Sequence, residues 1–238
     1  ENGKVKTENR KQSDYSDPIL SGKTNNITYI YTMKKNLFRV LSLAMAFLCL
    51  STAHAQDTKA VSIIPQPQKL EAKGGEYLLP EKVVIGYDGS FKAQAEYLQE
   101  LLARSTGRVA VLKEGKTKGS IVLQKDTVAV PVAEAYTLSV TTKCARIVAS
   151  DANGAFYGIQ SLLQLFPAEV YSASWQRNTE WKAPCVEIYD APERPWRGLM
   201  MDVARYFYDK EFIKKTIDMM GMYKLNKLQF HLIDDSGW

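Results

Sequence analysis

The sequence predicts an α+β domain over residues 61–190, followed over 195–238 by the start of an α/β unit of the kind that closes into a (β/α)8 TIM barrel. Three observations carry this expectation. Short apolar or alternating runs bounded by Gly and polar turn residues recur between 83 and 149. Two stretches with apolar residues at helical spacing interrupt them. From Trp196, a strand pattern, a helical pattern and a second strand pattern follow at the spacing of a crossover, which makes the two strands parallel. Parallel strands need cover on both faces or closure. A (β/α)8 barrel takes about 250 residues, so only about a quarter of one is expected here, truncated after its first β-α-β.

The elements are read in chain order. Met33-Lys34-Lys35-Asn36 and Arg39 form a basic flank, Val40–Leu50 an apolar run, and Ala53-His54-Ala55 a small-x-small cleavage pattern. That is the layout of a secretory signal peptide over 33–55, cut after Ala55. The run is shorter than the roughly 20 residues of a membrane-crossing helix, so no span is expected after cleavage. Cys49 follows the bulky Phe47 and Leu48, which argues against a lipid anchor. Residues 1–32 have no period and read as an upstream segment without fold. The mature protein is expected to be exported: periplasmic, cell-surface or secreted.

Within 61–190, strands are expected at Val83–Ile85, Val109–Leu112, Ile121–Leu123, Tyr136–Val140 and Arg146–Ala149. Ser90 is expected to cap a helix with Phe91, Ala95, Leu98 and Leu102 on one face, ending near Gly107. A second helix begins around Asp151-Ala152-Asn153, aligns Phe156, Ile159, Leu163 and Phe166, and stops at Pro167. Nothing here groups a nucleophile with a base, so the domain reads as an accessory one. In 195–238 the first strand carries Arg197 and Asp202, and Asp209 caps a helix with Ile213, Ile217 and Met220 on one face. Lys227–Ile233 is the second strand and runs into Asp234-Asp235-Ser236-Gly237-Trp238.

Composition excludes several classes. Of 238 residues, 45% are hydrophobic and 24% charged, as in ordinary globular chains. The net charge of +5 sits mostly in residues 1–55, which hold 8 Lys/Arg against 4 Asp/Glu. The remainder has no dense basic cluster, so no nucleic-acid partner is expected. Beyond residue 55 the cysteines and histidines are Cys144, Cys185 and His231, with no CxxC spacing, so no structural metal is expected; no cofactor is expected either.

Three blocks carry a family resemblance. Trp196-Arg197-Gly198-Leu199-Met200-Met201-Asp202-Val203-Ala204-Arg205-Tyr206-Phe207 resembles the opening barrel strand of glycoside hydrolase family 20, the β-N-acetylhexosaminidases. Lys224 to Trp238 resembles their second strand and its loop. Gly154 to Leu165 is similar to the helix that closes their accessory domain, and Asp190-Ala191-Pro192 leads into the barrel. The resemblance covers roughly 61–238.

It implies removal of terminal β-linked N-acetylglucosamine or N-acetylgalactosamine from glycans, with retention and by substrate assistance. The substrate's acetamido oxygen attacks the anomeric carbon to give an oxazolinium. An Asp orients the acetamido group, and the adjacent Glu protonates the leaving oxygen. The family holds that pair in a His-x-Gly-Gly-Asp-Glu motif on the fourth strand. This sequence has no adjacent Asp-Glu, and Asp234-Asp235 is its one adjacent acidic pair. The polypeptide alone is therefore expected to be inactive.

By resemblance, Arg197 would bind the C3 and C4 hydroxyls, since a planar fork of donors suits two vicinal oxygens. The residues themselves equally allow an Arg197–Asp202 pair inside the barrel. Asp234, at the carboxyl end of a strand where barrels build their sites, would be a supporting acid behind a His that touches the catalytic Glu. Asp235 and His231 are secondary candidates. A capping or solvated acidic pair and a bonded core histidine are the plain alternatives. Asp202 and Arg205 read as structural. Two other functions fit the exported chain: a non-catalytic carbohydrate-binding or adhesion module, and another barrel glycosidase using Asp234 or Asp235 directly. The latter needs a second carboxylate about 5–10 Å away.

Overall fold

The structure, a computed structural model, describes residues 61–115 and 118–234, together with Tyr31, Lys34 and Lys35. Apart from Lys34 and Lys35, the signal-peptide expectation lies outside the described residues, as does Asp235. The chain divides into two compact units, Glu1–Asp57 and Thr58–Trp238. The fold below is that of the second.

Its larger part is a seven-stranded mixed sheet built from β1 (Lys69–Leu78), β2 (Val84–Tyr87), β3 (Val111–Glu114), β4 (Ile121–Lys125), β5 (Tyr136–Val140), β6 (Ala145–Ala149) and β7 (Lys182–Asp190). The strand order is β1-β7-β5-β6-β4-β2-β3. Pairing is antiparallel from β1 to β6 and parallel from β6 to β3. Each of the five expected strands is present. Two strands escaped the pattern, for physical reasons. β1 is an edge strand rich in Lys, Glu and Gly, with a register shift between Ala72 and Glu76, so it shows no apolar alternation. β7 contains Pro184, which weakens a strand reading. It is tolerated because β5 pairs only with residues 186–190, leaving Pro184 beside β1 alone.

Helices α1 (Lys92–Thr106) and α2 (Ala152–Leu165) cover one face of the sheet and touch each other. Phe91, Ala95, Leu98 and Leu102 are fully buried, as their spacing required, against Ile85, Ile121, Leu123 and Leu138. The cap differs from expectation. Asp88 accepts both the Ser90 N–H (3.0 Å) and the Ser90 hydroxyl (2.6 Å), opening a single 3-10 turn, Gly89–Phe91, before α1. Asp is as good an N-cap as Ser, and it stands where the chain is still extended. Gly107 closes α1 through its N–H to Ala103. Asp151 caps α2 by accepting the Gly154 N–H at 2.8 Å.

The chain then forms β8 (Gly198–Asp202), α3 (Lys210–Met222) and β9 (Lys227–His231). β8 and β9 pair in parallel, Gly198 opposite Lys227 and Asp202 opposite His231, as the crossover spacing predicted. Asp209 caps α3 through the Phe212 N–H at 2.7 Å. On α3 the buried residues are Thr216 and Met220, whereas Ile217 is 50% exposed. Helix α3 packs against α2. Both segments, 61–190 and 195–238, lie within the second compact unit.

Candidate functional site

Two clusters of charge lie at opposite ends of the parallel pair, and strand direction separates their roles. At the carboxyl ends, Asp202 is the last residue of β8 and faces His231, the last of β9. The Asp202 carboxylate turns the chain back: Oδ1 accepts the N–H groups of Ala204 (3.0 Å) and Arg205 (3.2 Å). That local bond is what an Asp after a strand does well. The turn returns the Arg205 side chain over the strand ends. Its Nη1 lies 3.1 Å from Asp202 Oδ2, and its Nε donates to Asp234 Oδ2 at 2.7 Å. The Asp234 hydrogen bond, then the Asp234 and Asp202 charges, push the Arg205 pKa above its ordinary value. Arg205 is 68% exposed as a side chain, and its Nη2 meets no partner among the described residues. An anchored guanidinium with an open edge is suited to oxygens presented from solvent.

At the amino end the arrangement is closed. Arg197, one residue before β8, donates from Nε to the Lys224 carbonyl (2.8 Å) and from Nη1 to the Arg194 carbonyl (2.7 Å). Its Nη2 donates to Glu134 (2.8 Å) and to the Tyr157 hydroxyl (3.0 Å), and the guanidinium lies over the Tyr157 ring. Beside it Lys224, 5% exposed, donates from Nζ to the Tyr136 hydroxyl and to Asp190 Oδ2, both at 2.8 Å. Burial lowers the Lys224 pKa against the pull of Asp190, and burial, reinforced by Asp190, holds the Tyr136 pKa well above its usual value. A cleft of about 570 Å³ adjoins this cluster. Its Arg197, Glu134, Lys224 and Asp190 are bonded to one another or to other protein groups, so the cluster reads as a joint rather than a ligand site.

Arg197 is thus enclosed by protein partners at the amino end of β8. It neither points to the carboxyl ends nor pairs with Asp202, and every nitrogen of its guanidinium has a protein partner. Asp202 pairs with Arg205 instead. Both arginines flank one strand in the same quoted block. Strand polarity separates them: Arg197 precedes β8 and Arg205 follows it. Asp234 is at the expected end and joins Arg205. His231 stands at the same end with a buried Nε2 that makes no hydrogen bond, and no bond brings it to Asp234. No group of three or more metal-ligating side chains gathers among the described residues. Nor is any helix among them long and apolar enough to cross a membrane.

Comparison with known proteins decides the family. The profile for glycosyl hydrolase family 20, domain 2, matches residues 60–191, and that for the family's catalytic domain matches 195–238. The chain belongs to glycosyl hydrolase family 20. Among family members, a beta-hexosaminidase of Porphyromonas gingivalis is 35% identical over 183 residues, 76% of this chain and 23% of the relative. The N,N'-diacetylchitobiase of Vibrio harveyi is 32% identical over 179 residues, 75% of this chain and 19% of the relative. The solved N-acetyl-beta-hexosaminidase of Streptomyces plicatus, in complex with thio-NAglucal, superposes with a TM-score of 0.68 at 32% identity. That match covers 78% of this chain and 37% of the other. The chain thus spans about a fifth to a third of these family 20 relatives, and the resemblance read from the three sequence blocks holds.

Proposed function

We propose that this chain carries the accessory domain, 61–190, and the first β-α-β of the catalytic barrel, 195–238, of an exported β-N-acetylhexosaminidase. Its substrates are glycans with a terminal β-linked N-acetylhexosamine, cleaved with retention by substrate assistance. The observation that supports the site assignment is the Arg205–Asp234 pair at the carboxyl ends of two parallel strands, inside the stretch that matches the catalytic profile. Arg205 takes the role of binding the vicinal C3 and C4 hydroxyls, with its open Nη2 edge as donor. Asp234 holds that guanidinium and remains a supporting acid at the rim. Residues 33–55 direct export.

Protonation of the leaving group and orientation of the acetamido group need carboxylates that this sequence does not hold in the family's adjacent Asp-Glu form. The 238-residue polypeptide by itself is then a binding wall without an acid. Two measurements test this. The purified chain is expected to release no chromophore from a chromogenic N-acetylglucosaminide above a buffer blank. Titration with N-acetylglucosamine is expected to shift amide resonances at 202–205 and 231–234. Turnover by this chain, or sugar-induced shifts confined to other residues, would overturn the reading.

A further inference from the structure

We infer that Asp202 is the positioning residue for Arg205: it fixes the plane of the Arg205 guanidinium at the carboxyl end of β8. A single bond to Asp234 would leave an arginine that is 68% exposed free to rotate about that bond. A second carboxylate on a different nitrogen removes the rotation, because the guanidinium is planar and rigid. The structure has that second contact, an ion pair of Asp202 Oδ2 with Nη1 at 3.1 Å. The Asp202 side chain is the more enclosed of the two partners, 22% exposed against 44% for Asp234.

The two oxygens of Asp202 divide the work. Oδ1 holds the backbone turn at Ala204 and Arg205, and Oδ2 holds the side chain that the turn delivers. His231 lies opposite in register, and no hydrogen bond joins its side chain to Asp202. The carboxylate is thereby committed to Arg205. With both contacts in place, Nη2 is the guanidinium nitrogen left without a partner among the described residues.

The sugar-facing consequence rests on the assignment of Arg205 proposed above, whereas the geometric claim does not. The Arg205 Nε–H of the full chain reports the plane without being touched by Asp202. Asp202→Asn keeps an oxygen for the turn and removes the charge on Nη1. Asp202→Ser is a second variant with a hydroxyl acceptor for the turn. In either, solvent exchange of the Arg205 Nε–H is expected to accelerate about fivefold, the size of effect of one exposed ion pair. Backbone amide shifts outside 200–206 and 231–234 should stay in place. An unchanged Nε–H exchange rate in a folded variant overturns the positioning role. N-acetylglucosamine titration of the same samples tests the sugar assignment separately. Binding weakened about fivefold by Asp202→Asn supports both claims. A flat titration in wild type and variants overturns the sugar assignment, with the exchange result still deciding Asp202.

Discussion

Lys224 concentrates an unusual set of constraints in one side chain. Its backbone is left-handed, φ 60°, which costs a residue with a Cβ about 1–2 kcal/mol. Its carbonyl accepts from Arg197, and its buried ammonium bonds Tyr136 and Asp190. Lys224→Met should strand the Asp190 carboxylate beside Tyr136 and lower stability by about 3–5 kcal/mol, the usual cost of breaking a buried pair from one side. Adding Asp190→Asn should recover part of that loss. Urea unfolding of the two single variants and the double variant measures the coupling. Strictly additive losses would mean the two groups do not act as a pair. None of this was legible in the sequence, where Lys224 stands in a loop and Asp190 more than thirty positions away. The place of Asp234 after a strand was readable from the strand pattern, and the bonds of Arg197 and Arg205, which depend on where the folded chain brings Glu134, Tyr157 and Asp234, were not.

Among the elements, α2 is the one whose sequence most nearly dictates its position. Its Asp151 cap, its apolar face and the stop at Pro167 were all readable, and the glycines within it explain how closely it lies on the sheet. A Cβ at Gly158 would meet Ile147 Cγ2 at 2.6 Å and the Tyr136 ring at 3.1 Å. At Gly154 it would meet the Ala135 carbonyl oxygen at 2.3 Å, a backbone atom that cannot rotate away. Alanine normally favours a helix over glycine by about 1 kcal/mol. Here the sign should reverse. Gly158→Ala is expected to destabilise by about 1–3 kcal/mol, as overpacking does, and Gly154→Ala by more than Gly158→Ala. Thermal melts that show either variant more stable than the parent would refute the close approach of α2 to β5 and β6. The strands divide by burial. β2, β4, β5 and β6 announce themselves because their apolar faces are committed to the core. β1 and β7 do not, since an edge strand and one interrupted by proline are specified by their neighbours rather than by their own pattern.

At the scale of the molecule, the accessory segment and the β8-α3-β9 unit are held together by polar bonds as much as by packing. Gln164 of α2 reaches the Met222 carbonyl at 3.3 Å, and the Arg197 and Lys224 bonds join the same two segments. Several groups titrate at high pH, Tyr136 and Tyr157 in that joint and Tyr77 and Tyr171 elsewhere, and their balance can be worked out. Tyr77, Tyr136, Tyr157 and Tyr171 all have pKa values raised above 10.0, in each case chiefly by burial. The unfolded chain therefore loses these protons first as pH climbs past about 10, and the native state holds more protons than the unfolded one. Stability must then fall with rising pH, by about 1.4 kcal/mol per pH unit for each proton retained. Lys224 works the other way. Its lowered pKa means the native state gives up that proton before the unfolded chain does, so stability gains as pH rises toward 10.5. Four raised tyrosines against one lowered lysine decide the sign above pH 10, where stability should collapse cooperatively; below it the Cys185 thiol, raised from 9.0 chiefly by burial, opposes the gain from Lys224. Denaturant midpoints followed from pH 8 to 11, together with tyrosinate absorbance, test this. The absorbance of these four rings should rise only as the chain unfolds. Tyrosinate appearing in full while the midpoint stays level would show that the four hydroxyls are open to solvent and, for Tyr136 and Tyr157, that the joint is looser than its bonds imply.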